Sequence, residues 1–253
     1  MKSLDSSLFS ATLFYLYILK IKKMKIEIWS DVMCPFCYIG KKNFENALEE
    51  LSLKDKIDVE WKSFQLDPSL EMGEAITTAQ YFKEKKGFPE NQAKQMTAQV
   101  TEMGKSAGID FNFEKAIITN TFPAHKLIHL AKKNDLGSEM EEELFKAHFL
   151  EGKNIGDSET LINLGKKLDL DSDMIKEALS SKVLDLEVKH EIIEASQLGI
   201  SGVPFFVINQ KYGVSGAQPV ETFKEAITQA YNESSFTSND NKDLSCSEDD
   251  CSI

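Results

Sequence analysis

The sequence predicts an α/β fold in which an all-helical domain is inserted after the second strand. Three observations carry that expectation: a strand, helix, strand opening over residues 25–62; a stretch over 69–199 whose apolar residues recur at helical spacing; and a strand, strand, helix ending over 205–231. At 253 residues, 42% of them hydrophobic, the chain can bury a sizeable core, either as one large domain or as a domain carrying an insertion. Its formal net charge of -12 gives no general attraction to nucleic acid or to anionic membranes, so neither is an expected partner.

Residues 1–23 read as an apolar N-terminal extension. The run over 7–19 resembles a signal-peptide core, yet Asp5 offsets Lys2, no small-x-small cleavage site follows, and Lys20, Lys22 and Lys23 lead straight into the first strand. It is also shorter than the roughly 20 residues that span a bilayer. A chain beginning at Met24 would open cleanly on that strand. An over-extended start is therefore expected, with an uncleaved membrane-associated segment as the alternative.

The first strand is the short run over 25–29, and behind it Phe44, Ala47, Leu48 and Leu51 fall at helical spacing. Ile57, Val59 and Trp61 then alternate with polar residues as in a half-buried strand, which Asp67-Pro68 closes. This βαβ unit requires a right-handed crossover between parallel strands. Over 69–199 no strand is expected. One helix closes at Lys85-Lys86 ahead of Gly87 and Pro89, a second runs over 90–106, and Phe122-Pro123 opens a third with Leu127, Ile128 and Ala131 as its stripe. Ser138-Glu139-Met140-Glu141 has the capping-box pattern ahead of Leu144, Phe145, His148 and Phe149. Asp157 and Asp171 are expected caps of the next two helices, and the stripe Leu184, Val188, Ile192, Ala195 stops at Gly199. The Asp169, Asp171, Asp173 run mimics the start of a calcium loop, but Met174 stands where such a loop needs Gly, which favours capping.

Strands return with the continuously apolar run over 205–208, the pattern of a central strand covered on both faces. Tyr212 and Val214 share a face of the next strand, and a last helix over 220–231 buries Phe223, Ala226, Ile227 and Ala230. Residues 24–68 and 200–231 thus make one domain and 69–199 its insertion. Residues 232–253 read as a flexible acidic tail.

The chemistry centres on Cys34-Pro35-Phe36-Cys37, placed where the first strand meets its helix. At a helix N-terminus, unpaired N–H groups and the positive end of the dipole favour a thiolate over a thiol, which makes Cys34 the attacking sulfur. Cys37, one turn later and shielded by the helix, is placed to resolve a mixed disulfide. Half of a zinc site has the same spacing, but Tyr38 follows Cys37 where a zinc knuckle usually has Gly, and the next cysteine is Cys246. Redox use is therefore favoured and no metal or cofactor is expected. Four cysteines in two close pairs suit a cytoplasmic redox protein better than a disulfide-stapled secreted one.

Strand, helix, strand, insertion, strand, strand, helix is a thioredoxin-type order. In such a sheet the proline before the first returning strand, here Pro204, is a cis proline facing the two cysteines, and it leaves the backbone of Val203 free to pair with an extended substrate. The chain resembles the DsbA family of thioredoxin-like oxidoreductases, specifically its FrnE-like branch. The resemblance covers residues 24–231 and rests on Ser30-Asp31-x-x-Cys34-Pro35-Phe36-Cys37, Asn120-Thr121-Phe122-x-Ala124-His125-Lys126-Leu127, the run over 149–157, and Gly199-Ile200-x-Gly202-Val203-Pro204-Phe205-Phe206. It implies thiol-disulfide exchange with protein substrates or glutathione, with Cys34 as nucleophile, Cys37 as resolving thiol and Pro204 as cis proline. Val203, Pro35, Phe36 and His125 are the expected substrate contacts. Phe36 stands where DsbA itself carries His, so strong oxidising power is not expected.

His125 and His129, one turn apart, lack an evident third metal ligand and read as core or surface residues, with His125 lining the site on the side of the redox pair. Asp31 is read either as a proton-transfer group at the buried thiol or as a helix cap. Some FrnE-like proteins carry a C-terminal cysteine pair, and Cys246 and Cys251 stand in that place here, which implies an auxiliary dithiol; Glu248, Asp249 and Asp250 oppose thiolate formation there. Two rivals remain: a glutathione-dependent isomerase or transferase, against which Cys37 argues, and a zinc-binding or chaperone-like interaction protein.

Overall fold

The computed structural model describes residues 23–239, with side chains to residue 233. Strand β1 (Met24–Ser30) is an interior strand of a four-stranded sheet. Helix α1 (Pro35–Glu50) follows it and leads to β2 (Ile57–Ser63), which pairs parallel to β1 with Met24 opposite Ile57 and Ser30 opposite Ser63. β5 (Phe205–Ile208) joins the other side of β1 antiparallel, and β6 (Tyr212–Ser215) forms the edge. This is the thioredoxin-like arrangement that the element order predicts.

Interior strands lose water from both faces, which is why β1 carries buried residues at consecutive positions. On one face, Phe44 of α1, Phe206 of β5 and Phe223 of the final helix α8 (Val220–Asn239) make a ring cluster with centroids 4.6–5.8 Å apart. On the other, Trp29 packs with Ala195 and Ile200. Phe205 and Val207 are only half-buried, so β5 is less fully covered than its unbroken apolar run suggests. α8 continues past Tyr231 to Asn239, where a flexible tail is expected from residue 232: no Gly or Pro interrupts the segment, and Glu233 is tied to Lys211 at 2.6 Å.

Between β2 and β5 the chain is not all helical. β3 (Ala75–Thr77) and β4 (Ile117–Thr119) pair antiparallel, Ala75 opposite Thr119. Three residues are too few for alternation to declare a strand. A short turn over Thr78–Gln80, closed by a Thr77/Gln80 capping box, runs into a π-helical turn over Tyr81–Lys85. Then come α2 (Glu90–Ser106), α3 (Phe122–Lys132), α4 (Gly137–Phe149), α5 (Ser158–Lys167), α6 (Ser172–Ser180) and α7 (Lys182–Gln197).

Asp157 caps α5 through the Thr160 N–H at 2.8 Å, and Asp171 caps α6 through those of Asp173 and Met174. The capping box expected at residues 138–141 is not formed. α4 begins two residues earlier than a Ser138 cap would start it, with no side-chain cap; Ser138 instead accepts a hydrogen bond from Trp61 Nε1 at 2.9 Å, and Glu141 turns inward. α7 is locked to the sheet by the buried Glu191, which accepts from the Ser63 N–H at 2.7 Å and from Lys132 Nζ at 2.7 Å and lies 2.9 Å from His129 Nε2. Among the described residues no helix is long and apolar enough to cross a membrane.

Candidate active site

β1 ends at Ser30, and the Asp31 side chain shapes the turn that leads into α1. Its Oδ1 accepts from the Met33 N–H at 3.3 Å, while Oδ2 reaches across to the Leu66 N–H at 2.7 Å. Asp31 is thus a tie between two loops and not the cap of α1. The Cys34 N–H donates to the Asp31 carbonyl at 2.8 Å, which brings Cys34 in extended conformation to the N-cap position with Pro35 in the first helical turn. No side chain caps α1; the Cys37 N–H donates to the Cys34 carbonyl at 3.0 Å, and the positive end of the helix dipole lies at the cysteine end.

Cys34 and Cys37 are both free and buried, at 3% and 1% exposure. The Cys34 thiol donates to the Val203 carbonyl oxygen at 3.6 Å, and the Val203–Pro204 peptide bond is cis. Gly40 of α1 supports this approach, since a Cβ there would meet Pro204 Cγ at 2.9 Å. Val203 and Pro35 are half-buried, and Phe36 presents 38% of its surface to solvent. The structure therefore brings Cys34, Cys37, Val203 and Pro204 together with an apolar lip beside them.

The two sulfurs differ in setting. Burial, and then the neighbouring Cys34, push the Cys37 thiol well above its ordinary pKa; the Asp31 backbone and the Ser30 hydroxyl pull weakly the other way. Cys37 therefore holds its proton in the resting protein.

Beneath the pair lies a buried polar group that the sequence pattern does not assemble. His125 is 1% exposed, which leaves almost no surface for a substrate to touch. Its Nε2 is 3.6 Å from Asp31 Oδ1, an ion-pair distance and longer than a hydrogen bond. Burial opposes the charged ring, but Asp31, with Glu141 and Glu191 behind it, outweighs burial and raises the His125 pKa. Glu141, 1% exposed, accepts a hydrogen bond from Ser30 Oγ at 2.6 Å, and burial pushes its carboxyl up to about 7. His148, fully buried with neither ring nitrogen partnered, is pushed down to about 4 by burial. Their signal lies in the register of α4: Glu141, Leu144, Phe145 and His148 share one stripe, so an acid and a histidine occupy apolar positions.

His129 lies between Glu187 at 3.2 Å and Glu191 at 2.9 Å. Among the described residues, no group of three or more His, Cys, Asp or Glu is arranged to hold a metal ion. Cys246 and Cys251 lie outside the described residues.

The family model for the DSBA-like thioredoxin domain matches residues 25–228. An uncharacterized protein of Bacillus subtilis, YwbO, is 32% identical over 208 residues, which is 80% of this chain and 95% of that protein. Among solved structures, a probable DsbA oxidoreductase from Streptomyces coelicolor is 34% identical and superposes with a TM-score of 0.78 over 83% of this chain and 91% of that one. The cytosolic disulfide reductase DsbM from Pseudomonas aeruginosa, solved with GSH, shares the fold at 16% identity and a TM-score of 0.59, over 82% of this chain and 99% of that one.

Proposed function

Because the chain belongs to the DSBA-like thioredoxin domain family, we propose that it exchanges disulfides with protein thiols or glutathione in the cytoplasm through a Cys34–Cys37 couple. The observation that carries this reading is the pairing of Cys34, at the uncapped start of α1 and 3.6 Å from the Val203 carbonyl, with a Cys37 whose burial holds its proton. Cys34 attacks a substrate disulfide and releases one substrate thiolate, leaving a mixed disulfide. Cys37 then attacks the Cys34 sulfur, the second substrate thiol leaves, and two electrons have passed to the substrate as the Cys34–Cys37 disulfide forms. The same steps reversed oxidise a substrate dithiol. Val203, beside Pro204, offers backbone to an extended substrate, and Pro35 and Phe36 offer it an apolar lip. His125 acts from beneath the pair.

The FrnE-like resemblance adds a role for Cys246 and Cys251, as a second dithiol that a short tether delivers to Cys34–Cys37 at high effective concentration. Slower reoxidation of the main site in a Cys246→Ser/Cys251→Ser double variant supports it, and wild-type reoxidation counts against it.

The deciding experiment is insulin-disulfide reduction with a glutathione redox titration, on wild type and Cys34→Ser. The expected result is a two-electron couple at Cys34–Cys37 in wild type that the substitution abolishes, leaving at most the couple of Cys246 and Cys251. If wild type shows no couple across the glutathione range, exchange on protein substrates is the wrong reading and a glutathione-dependent reaction on a small molecule takes its place.

A further inference from the structure

Resolution of a mixed disulfide at Cys34 requires Cys37 to lose a proton, and Cys37 is 1% exposed, so bulk water is not at hand to take it. The polar side chain acting on that thiol is Ser30. Ser30 Oγ lies 2.6 Å from Glu141 Oε1. We propose that Glu141, reaching the redox pair from α4 through the Ser30 hydroxyl, accepts the proton that Cys37 gives up when it resolves a mixed disulfide. The proposal rests on the Cys34–Cys37 couple and assigns the base for its second step.

Three features fit Glu141 for the task. It sits on a rigid, buried helix face, so the Ser30 contact is held in place. It has no ion pair among the described residues: Lys41, the nearest ammonium on α1, is bound to Glu45 at 2.5 Å and Glu142 at 2.8 Å. The charged and titratable groups that face it are Lys41 from α1, Asp31 from the turn after β1 and His125 from α3, with Cys37 beyond Ser30. Burial against this partly balanced surround puts its carboxyl near 7, where a general base works best at neutral pH.

The step balances without any added reactant. With Glu141 ionised, the Cys37 S–H proton passes to Ser30 Oγ as the Ser30 hydroxyl proton passes to Glu141 Oε1. The Cys37 thiolate attacks the Cys34 sulfur, the Cys34–substrate bond breaks, and its electron pair leaves on the substrate thiolate. Glu141, now a carboxylic acid, returns the proton to solvent or to the departing thiolate. In the reverse reaction Glu141 reprotonates Cys37.

In chains whose tail thiols are removed by Cys246→Ser and Cys251→Ser, and which are otherwise wild type or carry the substitution named, substoichiometric dithiobis(nitrobenzoate) separates the two steps, because the first thionitrobenzoate released reports attack by Cys34 and the second reports resolution by Cys37. The wild-type second phase is expected to rise through an inflection near pH 7. Glu141→Gln is expected to slow that phase at least ~100-fold, the lower end of the ~10²–10⁴ range of a positioned acid or base, and to remove the inflection. The first phase, which needs only Cys34, keeps its rate. Ser30→Ala breaks the same link and gives the same loss even if the Glu141 variant does not fold. A Glu141→Gln or Ser30→Ala second phase with wild-type rate and inflection, or a wild-type profile with no inflection near 7, overturns the relay alone. Wild type that releases no second thionitrobenzoate overturns the redox couple, and the relay with it.

Discussion

The backbone of Gly40 lies so close to the ring of Pro204 that a Cβ added at Gly40 would stand 2.9 Å from Pro204 Cγ. This contact seats α1, which carries both cysteines, against the loop that presents Val203. A helix-interior Gly→Ala change ordinarily gains ~1 kcal/mol. Here the added methyl must displace Pro204, and overpacking of this kind costs ~1–3 kcal/mol. Gly40→Ala is therefore expected to lose stability by about 1 kcal/mol in urea denaturation and to reduce insulin more slowly. A variant that is more stable and equally active would show that the two elements do not bear on each other.

Cys37 is expected to be indispensable for release and not for attack. With Cys246 and Cys251 replaced by Ser in every chain compared, so that only the main-site thiols can react, glutathione disulfide should leave one stable glutathione adduct on Cys34 of Cys37→Ser, readable by intact mass, whereas the chain with both main-site cysteines passes through the adduct to the internal disulfide. Cys34→Ser should form no adduct, because burial keeps the remaining Cys37 protonated. Adduct formation on the Cys34→Ser chain would reverse the roles assigned to the two thiols.

Much of this site is legible in the sequence, because strand, turn and helix around Cys34 are strictly local. The contact between Cys34 and Val203 spans 169 residues and is reached through the element order, not through pattern. Other parts leave no usable trace. β3 and β4 are three residues each. Glu141 stands three residues after Ser138, the spacing of a capping box, and three before Leu144, the spacing of a buried stripe. Both readings fit the same letters. Packing chooses the second, since Ser138 is taken by Trp61 and the helix start needs no partner from Glu141.

Glu191 tests how far the insertion holds the sheet. Burial opposes its charge, but His129 and Lys132 outweigh burial and hold the carboxyl well below its usual range. Glu191→Ala would leave the Ser63 N–H without its acceptor and take one carboxylate each from Lys132, which keeps the Trp61 carbonyl, and His129, which keeps Glu187; removing one member of a buried ionic group costs ~3–5 kcal/mol, and these remaining partners set the loss at the lower end, ~3 kcal/mol. Urea denaturation should show a loss of that order, while the protein that remains folded keeps its insulin reduction. An unchanged midpoint would mean that water replaces the carboxylate.

The two buried titratable groups on α4 are expected to oppose each other as pH changes. His148 is held near 4 by burial, below its ordinary value of about 6.5, so the unfolded chain binds a proton that the folded chain refuses; stability from this source falls as pH drops from about 6.5 toward 4. Glu141 is held near 7, above its ordinary value of about 4.3, so the folded chain keeps a proton that the unfolded chain releases; stability from this source is full below about 4.3 and is lost as pH rises through 7. Over pH 5 to 6.5 the two slopes have opposite sign and similar size, leaving little net dependence from this pair. Single substitutions should unmask them. Relative to wild type, His148→Leu is expected to lose stability as pH rises from 5 to 7, by roughly 2 kcal/mol. Glu141→Gln should do the reverse and weaken as pH falls over the same range. Urea denaturation of the three proteins at pH 5, 6 and 7 measures this directly, and parallel curves would show that neither group carries its shifted proton equilibrium into the folded state.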